Sequence, residues 1–261
     1  MDPTELIEEV RSGVLQIMVE RNRDLVGNAT GFLVQGVLVT NSHCIRTDVE
    51  DVIALRFDNF TSGDNPIRLE LSRCDIAAES PESEQDYAFI RLSEPEFAKR
   101  HVFEFADPSA LSVGEQVLFL GFPFGSPHLT SHLGYVSSIH KDNVGVEIIQ
   151  IDGSVNGGNS GGPLLDLKSG QVVGIVTRAV KGFIIEEFDR LLEALQHNSQ
   201  ALQSPRKALM SVAGIDPLKA IGKSFAAMEV LARDLRRSAN VGIGYAYSSN
   251  YVRDQINNLR S

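Results

Sequence analysis

The segment that most constrains the fold of this chain is a glycine-rich turn around Ser160. It reads Gly157-Gly158-Asn159-Ser160-Gly161-Gly162-Pro163, and apolar strand patterns follow at residues 164–167 and 172–177. Glycine adopts positive φ angles without steric cost, so such a turn can direct backbone N–H groups toward one point. A serine at such a point is typical of a nucleophile beside an oxyanion site. We therefore take Ser160 as a candidate nucleophile.

The same residues also fit the Gly-x-Ser-x-Gly pattern of a nucleophile elbow. An elbow requires a helix directly after the serine, and its acid and histidine come later in the chain. Here Gly161, Gly162 and Pro163 disfavour a helix, and the single later histidine, His197, lies in a helical pattern. The elbow is therefore excluded, and the histidine and the acid are expected upstream of the serine.

Two upstream residues meet that expectation. His43 lies in a polar turn after an apolar strand pattern at residues 36–40, and Asp86 opens an alternating strand pattern at residues 86–92. A carboxylate at a strand entrance can be buried against an imidazole, and the order His, Asp, Ser is that of one type of catalytic triad. Asp48 and Asp51 are the alternative acids.

Five segments of the chain resemble the chymotrypsin-like (trypsin-like) serine peptidases, most closely the protease domain of the HtrA branch. They are Thr40-Asn41-Ser42-His43, Asp86-Tyr87-Ala88-Phe89-Ile90, Gly121-Phe122-Pro123-Phe124-Gly125, Gly157-Gly158-Asn159-Ser160-Gly161-Gly162-Pro163 and Gly242-Ile243-Gly244-Tyr245-Ala246. The resemblance implies a serine endopeptidase that needs no metal or organic cofactor. It assigns His43, Asp86 and Ser160 to the triad, and the N–H groups of Gly158 and Ser160 to the oxyanion hole.

The resemblance also implies an all-β fold, a chymotrypsin-like double six-stranded β-barrel. We expect the N-terminal barrel at residues 1–105, and the C-terminal barrel with a terminal helix at residues 106–182 and 240–261. Further strand patterns at residues 116–121, 134–139 and 145–151 agree with a barrel. No PDZ domain is expected in this chain.

Residues 183–239 depart from the family pattern. Apolar residues recur there at helical spacing, and Asp216-Pro217 is a helix start with a capping carboxylate. We predict a helical hairpin inserted before the last strand. In the family this connection borders the specificity pocket, so the insertion either gates substrates or receives a regulatory protein, or it only packs on the barrel.

Substrate recognition is predicted from the same resemblance. Ser154 falls at the base of the specificity pocket, and Thr177, Arg178 and Ala179 run beside a substrate strand. Ser154 brings no carboxylate, and Ala179 is small, so we expect a small to medium apolar residue before the scissile bond of a protein or peptide. Asn159 replaces the Asp with which secreted relatives bind a freshly cut N-terminus, so we expect control by loop ordering instead.

Composition limits the remaining classes of function. The net charge of −10 disfavours nucleic acid binding, and residues 1–20 lack an apolar run, which predicts a cytoplasmic protein with no membrane contact. With two cysteines, Cys44 and Cys74, a disulfide is not expected. His128 and His132 lie in a predicted loop with no third ligand nearby, so no metal site is expected.

The alternatives to a peptidase are a catalytically silent binding module on the same fold and an esterase.

Overall fold

The computed structural model describes most of the chain. The described residues are 1–21, 24–45, 52–57, 67–69, 76–92, 95–107, 109, 111–177, 183–203, 216–238 and 242–258. They divide into two compact units, one formed by Met1–Ala179 with Gly242–Ser261 and the other by Val180–Val241. Of the helices within these ranges, none combines the length and the apolar character needed to cross a membrane.

The first half of the larger unit is a β-sheet of seven strands. They are β1 (Val14–Arg21), β2 (Asp24–Val34), β3 (Val37–Thr40), β4 (Val52–Phe57), β5 (Ile67–Leu69), β6 (Ile76–Ser80) and β7 (Tyr87–Arg91), in the order β5-β4-β1-β2-β3-β7-β6. We expected six strands in this half, and that number is wrong. The described residues between β3 and β7 supply three strands, of which β4 pairs with β1, β5 with β4 and β6 with β7.

The second half of this unit is a closed six-stranded barrel, as expected. Its strands are β8 (Gln116–Gly121), β9 (Thr130–Lys141), β10 (Glu147–Asp152), β11 (Pro163–Asp166), β12 (Val172–Thr177) and β13 (Ile243–Ser248), closed in the order β10-β13-β12-β11-β8-β9. The predicted loop around His132 is partly wrong. His132 lies on β9 opposite Phe119, and the two rings stack with centroids 4.6 Å apart.

A hydrophobic core joins the two halves. Phe32 and Phe89 of the sheet pack in one cluster with Leu120 and Ile175 of the barrel. Two helices contribute to the same cluster, α1 (Pro3–Val10) with Leu6 and the terminal α4 (Asn250–Asn258) with Val252 and Ile256. The halves thus meet over a shared apolar layer, which places their loops side by side.

The smaller unit contains two helices, α2 (Phe183–Gln203) and α3 (Pro217–Ser238), that pack against each other. Asp216 caps α3 as predicted, since its Oδ1 accepts from the N–H groups of Leu218 and Lys219 at 3.0 and 3.3 Å. Between the helices, Gln196 Nε2 donates to Glu229 Oε1 at 3.2 Å. A helical hairpin therefore occupies the predicted position before the last strand, β13.

Candidate active site

Strand register brings His43 and Asp86 together. β3 and β7 are antiparallel, and Thr40 lies opposite Ala88. The residues just after β3 therefore lie beside the residues just before β7, so His43, in a 3₁₀ turn at Ser42–Cys44, reaches Asp86. His43 Nδ1 lies 2.7 Å from Asp86 Oδ2, and the His43 backbone N–H donates to Asp86 Oδ1 at 3.0 Å.

Asp86 itself is held in place by its backbone. Its φ is +46°, a left-handed conformation that Asp tolerates better than most residues. Its N–H donates to the Pro81 carbonyl at 3.1 Å, and its carbonyl accepts from Asn41 Nδ2 at 2.8 Å. The Asp86 side chain is 1% exposed. The carboxylate is thus buried and aimed at a single imidazole.

The surroundings of His43 change its pKa. Burial of the ring would lower the pKa, but the hydrogen bonds with Asp86 and with the Cys44 thiol outweigh burial. The pKa of His43 is therefore raised above its ordinary value of 6.5. Because the aspartate faces Nδ1, the proton of the neutral ring sits at Nδ1 and the lone pair at Nε2, as a general base requires.

Cys44 lies between the histidine and the serine segment. Its Sγ is 3.5 Å from His43 Nε2 and 3.6 Å from the carbonyl oxygen of Ser160. Among the described residues, no hydrogen bond joins Nε2 directly to the Ser160 hydroxyl. Such bonds are often long before substrate binds, so the arrangement is compatible with a histidine that acts on Ser160.

The turn that carries Ser160 is tied to both halves of the fold. The Ser160 carbonyl accepts from the N–H of Thr30 on β2 at 2.9 Å, and the Gly161 N–H donates to Val176 of β12 at 2.7 Å. Gly161 has a φ of +86°, and a Cβ there would overlap the Thr30 carbonyl and the Thr40 hydroxyl. Only glycine lets the turn approach the strands this closely.

Hydrogen bonds also fix the direction of the peptide groups in this turn. The Gly157 carbonyl accepts from the N–H of Phe124 at 2.7 Å, and the Asn159 carbonyl accepts from the N–H of Gly162 at 3.1 Å. In a planar trans peptide the following N–H points the opposite way. The N–H groups of Gly158 and Ser160 are thereby turned from those partners, and neither has an acceptor among the described residues.

Two unpaired N–H groups beside a serine are what an oxyanion site consists of. Gly158 is buried and has a φ of +105°, and a Cβ there would overlap the Phe122 carbonyl and the Asn28 side-chain amide. The conformation that leaves these two N–H groups without an acceptor among the described residues therefore requires glycine at position 158.

Two of the four predicted specificity residues, Ser154 and Thr177, lie within the described part of the chain. The segment with Ser154 is joined to the start of β13, because the Gly153 N–H donates to the Gly242 carbonyl at 2.9 Å. Thr177 is buried at the end of β12. Arg178 and Ala179 lie outside the described residues, as do Asp48, Asp51 and Cys74. The roles of Ser154, Thr177, Arg178 and Ala179 stay predictions.

Sequence reasoning missed the groups that support the turn. Thr30 bonds to the carbonyls of both Gly158 and Ser160, and Phe124 holds Gly157 through its backbone. Asn41 and Phe124 lie within the segments that resemble the family, so their importance could have been predicted. The sequence does not show which groups they contact. Thr30 lies in none of those segments, and its contact with Gly158 spans 128 positions.

The sequence of this chain matches the family described as trypsin-like peptidase domain over residues 29–175, which is more than half of its length. The chain belongs to this family. The matched range contains the three predicted triad residues and both predicted oxyanion donors.

Two proteins with sequences similar to this trypsin-like peptidase are named as serine proteases. It is 29% identical over 170 residues to the putative serine protease HhoA of Synechocystis sp. (60% of this chain, 38% of that one). It is 32% identical over 161 residues to a probable periplasmic serine endoprotease DegP-like of Pseudomonas putida (60% and 30%). The chain thus spans 38% of the length of the first relative and 30% of the second.

A solved structure shares the fold of this trypsin-like peptidase. The HtrA-type protease AlgW with tripeptide superposes with a TM-score of 0.60 at 16% sequence identity, over 98% of this chain and 62% of that one. At that identity the likeness concerns the fold, which is trypsin-like.

Proposed function

We propose that this chain is a serine endopeptidase that hydrolyses peptide bonds through His43, Asp86 and Ser160. The observation that carries the proposal is the pairing of His43 with the buried Asp86, beside a serine turn whose Gly158 and Ser160 N–H groups have no acceptor among the described residues. The relatives named as serine proteases support the same reaction class.

The proposed reaction follows from these groups. The Ser160 Oγ attacks the carbonyl carbon of the scissile bond while His43 Nε2 accepts the hydroxyl proton. Asp86 stabilises the imidazolium, and the N–H groups of Gly158 and Ser160 bind the oxyanion. Collapse breaks the C–N bond, and the leaving amine takes the proton from His43. Water then attacks the acyl-enzyme by the same steps and releases the acid.

The proposed substrate is a protein or peptide. A strand of substrate beside Thr177 would be recognised mainly through backbone hydrogen bonds, which demand little of its sequence. The preference for a small to medium apolar residue, control by loop ordering or a protein partner at the α2–α3 hairpin, and a cytoplasmic location without nucleic acid or membrane binding all stay predictions.

The proposal is tested with a fluorophosphonate probe and labelled β-casein. Ser160 attacks the phosphorus, fluoride leaves, and the serine proton passes to His43, so labelling reports an assembled site. We expect labelling and casein cleavage by the wild-type chain, and neither by Ser160→Ala or His43→Ala. Wild-type protein that is folded yet neither labelled nor able to cleave casein would favour the silent binding module. Labelling with cleavage of nitrophenyl esters but not of casein would favour the esterase.

A further inference from the structure

Thr30 on β2 makes two hydrogen bonds to the serine turn and a third to Phe122. Its hydroxyl donates to the Gly158 carbonyl at 2.6 Å and accepts from the Phe122 N–H at 3.0 Å. Its backbone N–H donates to the Ser160 carbonyl at 2.9 Å. Thr30 is completely buried, so these groups have no water with which to exchange partners.

The Thr30 hydroxyl restrains the peptide groups on both sides of Gly158. On one side it binds the Gly158 carbonyl directly. On the other side it binds the Phe122 N–H, and Phe124 in the same segment binds the Gly157 carbonyl. Both peptide planes around Gly158 are therefore anchored. This matters at a glycine, because without a Cβ its own φ and ψ barriers restrain the two planes weakly.

We propose that the Thr30 hydroxyl is a positioning group for the oxyanion donor Gly158. This inference rests on the proposed function. Among the described residues the hydroxyl makes no hydrogen bond to a triad side chain; it sets the direction of the Gly158 N–H. Loss of the hydroxyl leaves the buried Gly158 carbonyl and the Phe122 N–H without a partner, and the Gly158 carbonyl can reach another donor only if the turn rotates. A rotated Gly158 N–H no longer faces the developing oxyanion, while binding of the uncharged substrate is little changed.

The test compares Thr30→Val, which replaces the hydroxyl by a methyl of similar size, with Thr30→Ser, which keeps the hydroxyl. Removal of one oxyanion donor costs about 10²–10³ in kcat, so misdirecting one should lower kcat on labelled β-casein by about 10- to 100-fold. KM should stay within about threefold, because the lost interaction acts in the transition state. Thr30→Ser should stay within about threefold of wild type in kcat. The fluorophosphonate rate constant should follow kcat, because its phosphoryl oxygen also develops charge.

Thr130→Val is the matched control. The Thr130 hydroxyl also donates to a glycine carbonyl, that of Gly121 at 3.0 Å, but it makes no hydrogen bond to residues 157–162. We expect this variant to keep the wild-type rate constant. The pH dependence of Thr30→Val should match wild type, since the His43–Asp86 pair is untouched.

A folded Thr30→Val protein that reacts at the wild-type rate overturns the inference, and so does a Thr30→Ser protein as slow as the valine variant. If the valine variant does not fold, Thr30→Ala takes its place against Thr30→Ser, with the same expected difference. Absence of reaction by the wild-type chain would contradict the proposed function instead, so the two failures are distinguishable.

Discussion

Asp86 contacts His43 at two points, the ring Nδ1 at 2.7 Å and the backbone N–H at 3.0 Å. The two carboxylate oxygens thus have separate partners. One of these partners, the backbone N–H of His43, is a donor in every protonation state of the ring. The backbone contact fixes which oxygen faces the ring, so the carboxylate sets both the orientation and the tautomer of the imidazole.

Asp86→Asn should abolish most activity without unfolding the protein. The backbone N–H of His43 still requires an oxygen, so the new amide nitrogen faces Nδ1 and forces the ring proton onto Nε2. That tautomer cannot accept the serine proton, and a loss of about 10⁴ in kcat is expected. Casein cleavage kinetics measure it. Glu84→Gln, which removes a nearby carboxylate that does not touch His43, is the control and should keep wild-type activity.

The pH dependence of kcat/KM should show an acidic limb with an apparent pKa above 6.5. His43 acts as a base when neutral, and its pKa is raised by Asp86 and Cys44 against the effect of burial, so activity must increase as the pH rises through that higher value. Stopped assays on casein across a pH series measure it. Cys44→Ala should move the limb to lower pH, because one raising contact is lost. A wild-type limb at or below 6.5 would contradict the assignment.

Gly158→Ala should inactivate the enzyme. The added methyl overlaps the Phe122 carbonyl and the Asn28 amide, and alanine rarely adopts a φ of +105°, so the turn must move and displace the proposed oxyanion donor. A loss of about 10²-fold or more in the fluorophosphonate rate constant is expected. Gly157→Ala is the matched variant, since a Cβ there meets open space, and it should keep most of the activity. Equal losses in both variants would argue against this explanation.

Alkylation of Cys44 should block the site. Its Sγ lies 3.5 Å from His43 Nε2, and Cys44 is half-buried rather than enclosed. Iodoacetamide would form a C–S bond with loss of iodide and the thiol proton, placing an amide beside the ring. We expect inhibition in proportion to modification, measured by peptide mass and casein cleavage. The Cys44→Ala variant retains Cys74 and should resist the reagent; inhibition of that variant would implicate another residue.

Local sequence carried enough information for the strands and for the order of the site residues. The patterns at residues 116–121 and 172–177 coincide with β8 and β12, since each is an apolar run bounded by polar or glycine residues. The apolar pattern after Asp86 likewise predicted a strand, and β7 (Tyr87–Arg91), which begins directly after Asp86, is mostly buried. The seventh strand of the first sheet was missed because short strands in a long polar segment give little periodic signal.

The sequence alone determined the family, the helical insertion and three candidate residues in the order His, Asp, Ser. Only the tertiary structure decided which backbone groups are paired and which are free. The Thr30 hydroxyl donates to the Gly158 carbonyl across 128 positions. Within the described part of the chain, the Gly157 and Asn159 carbonyls are paired, whereas the N–H groups of Gly158 and Ser160 have no acceptor. Every residue except proline carries the same backbone donor and acceptor, so their pairing leaves no mark on residue identity and emerges only when distant strands meet.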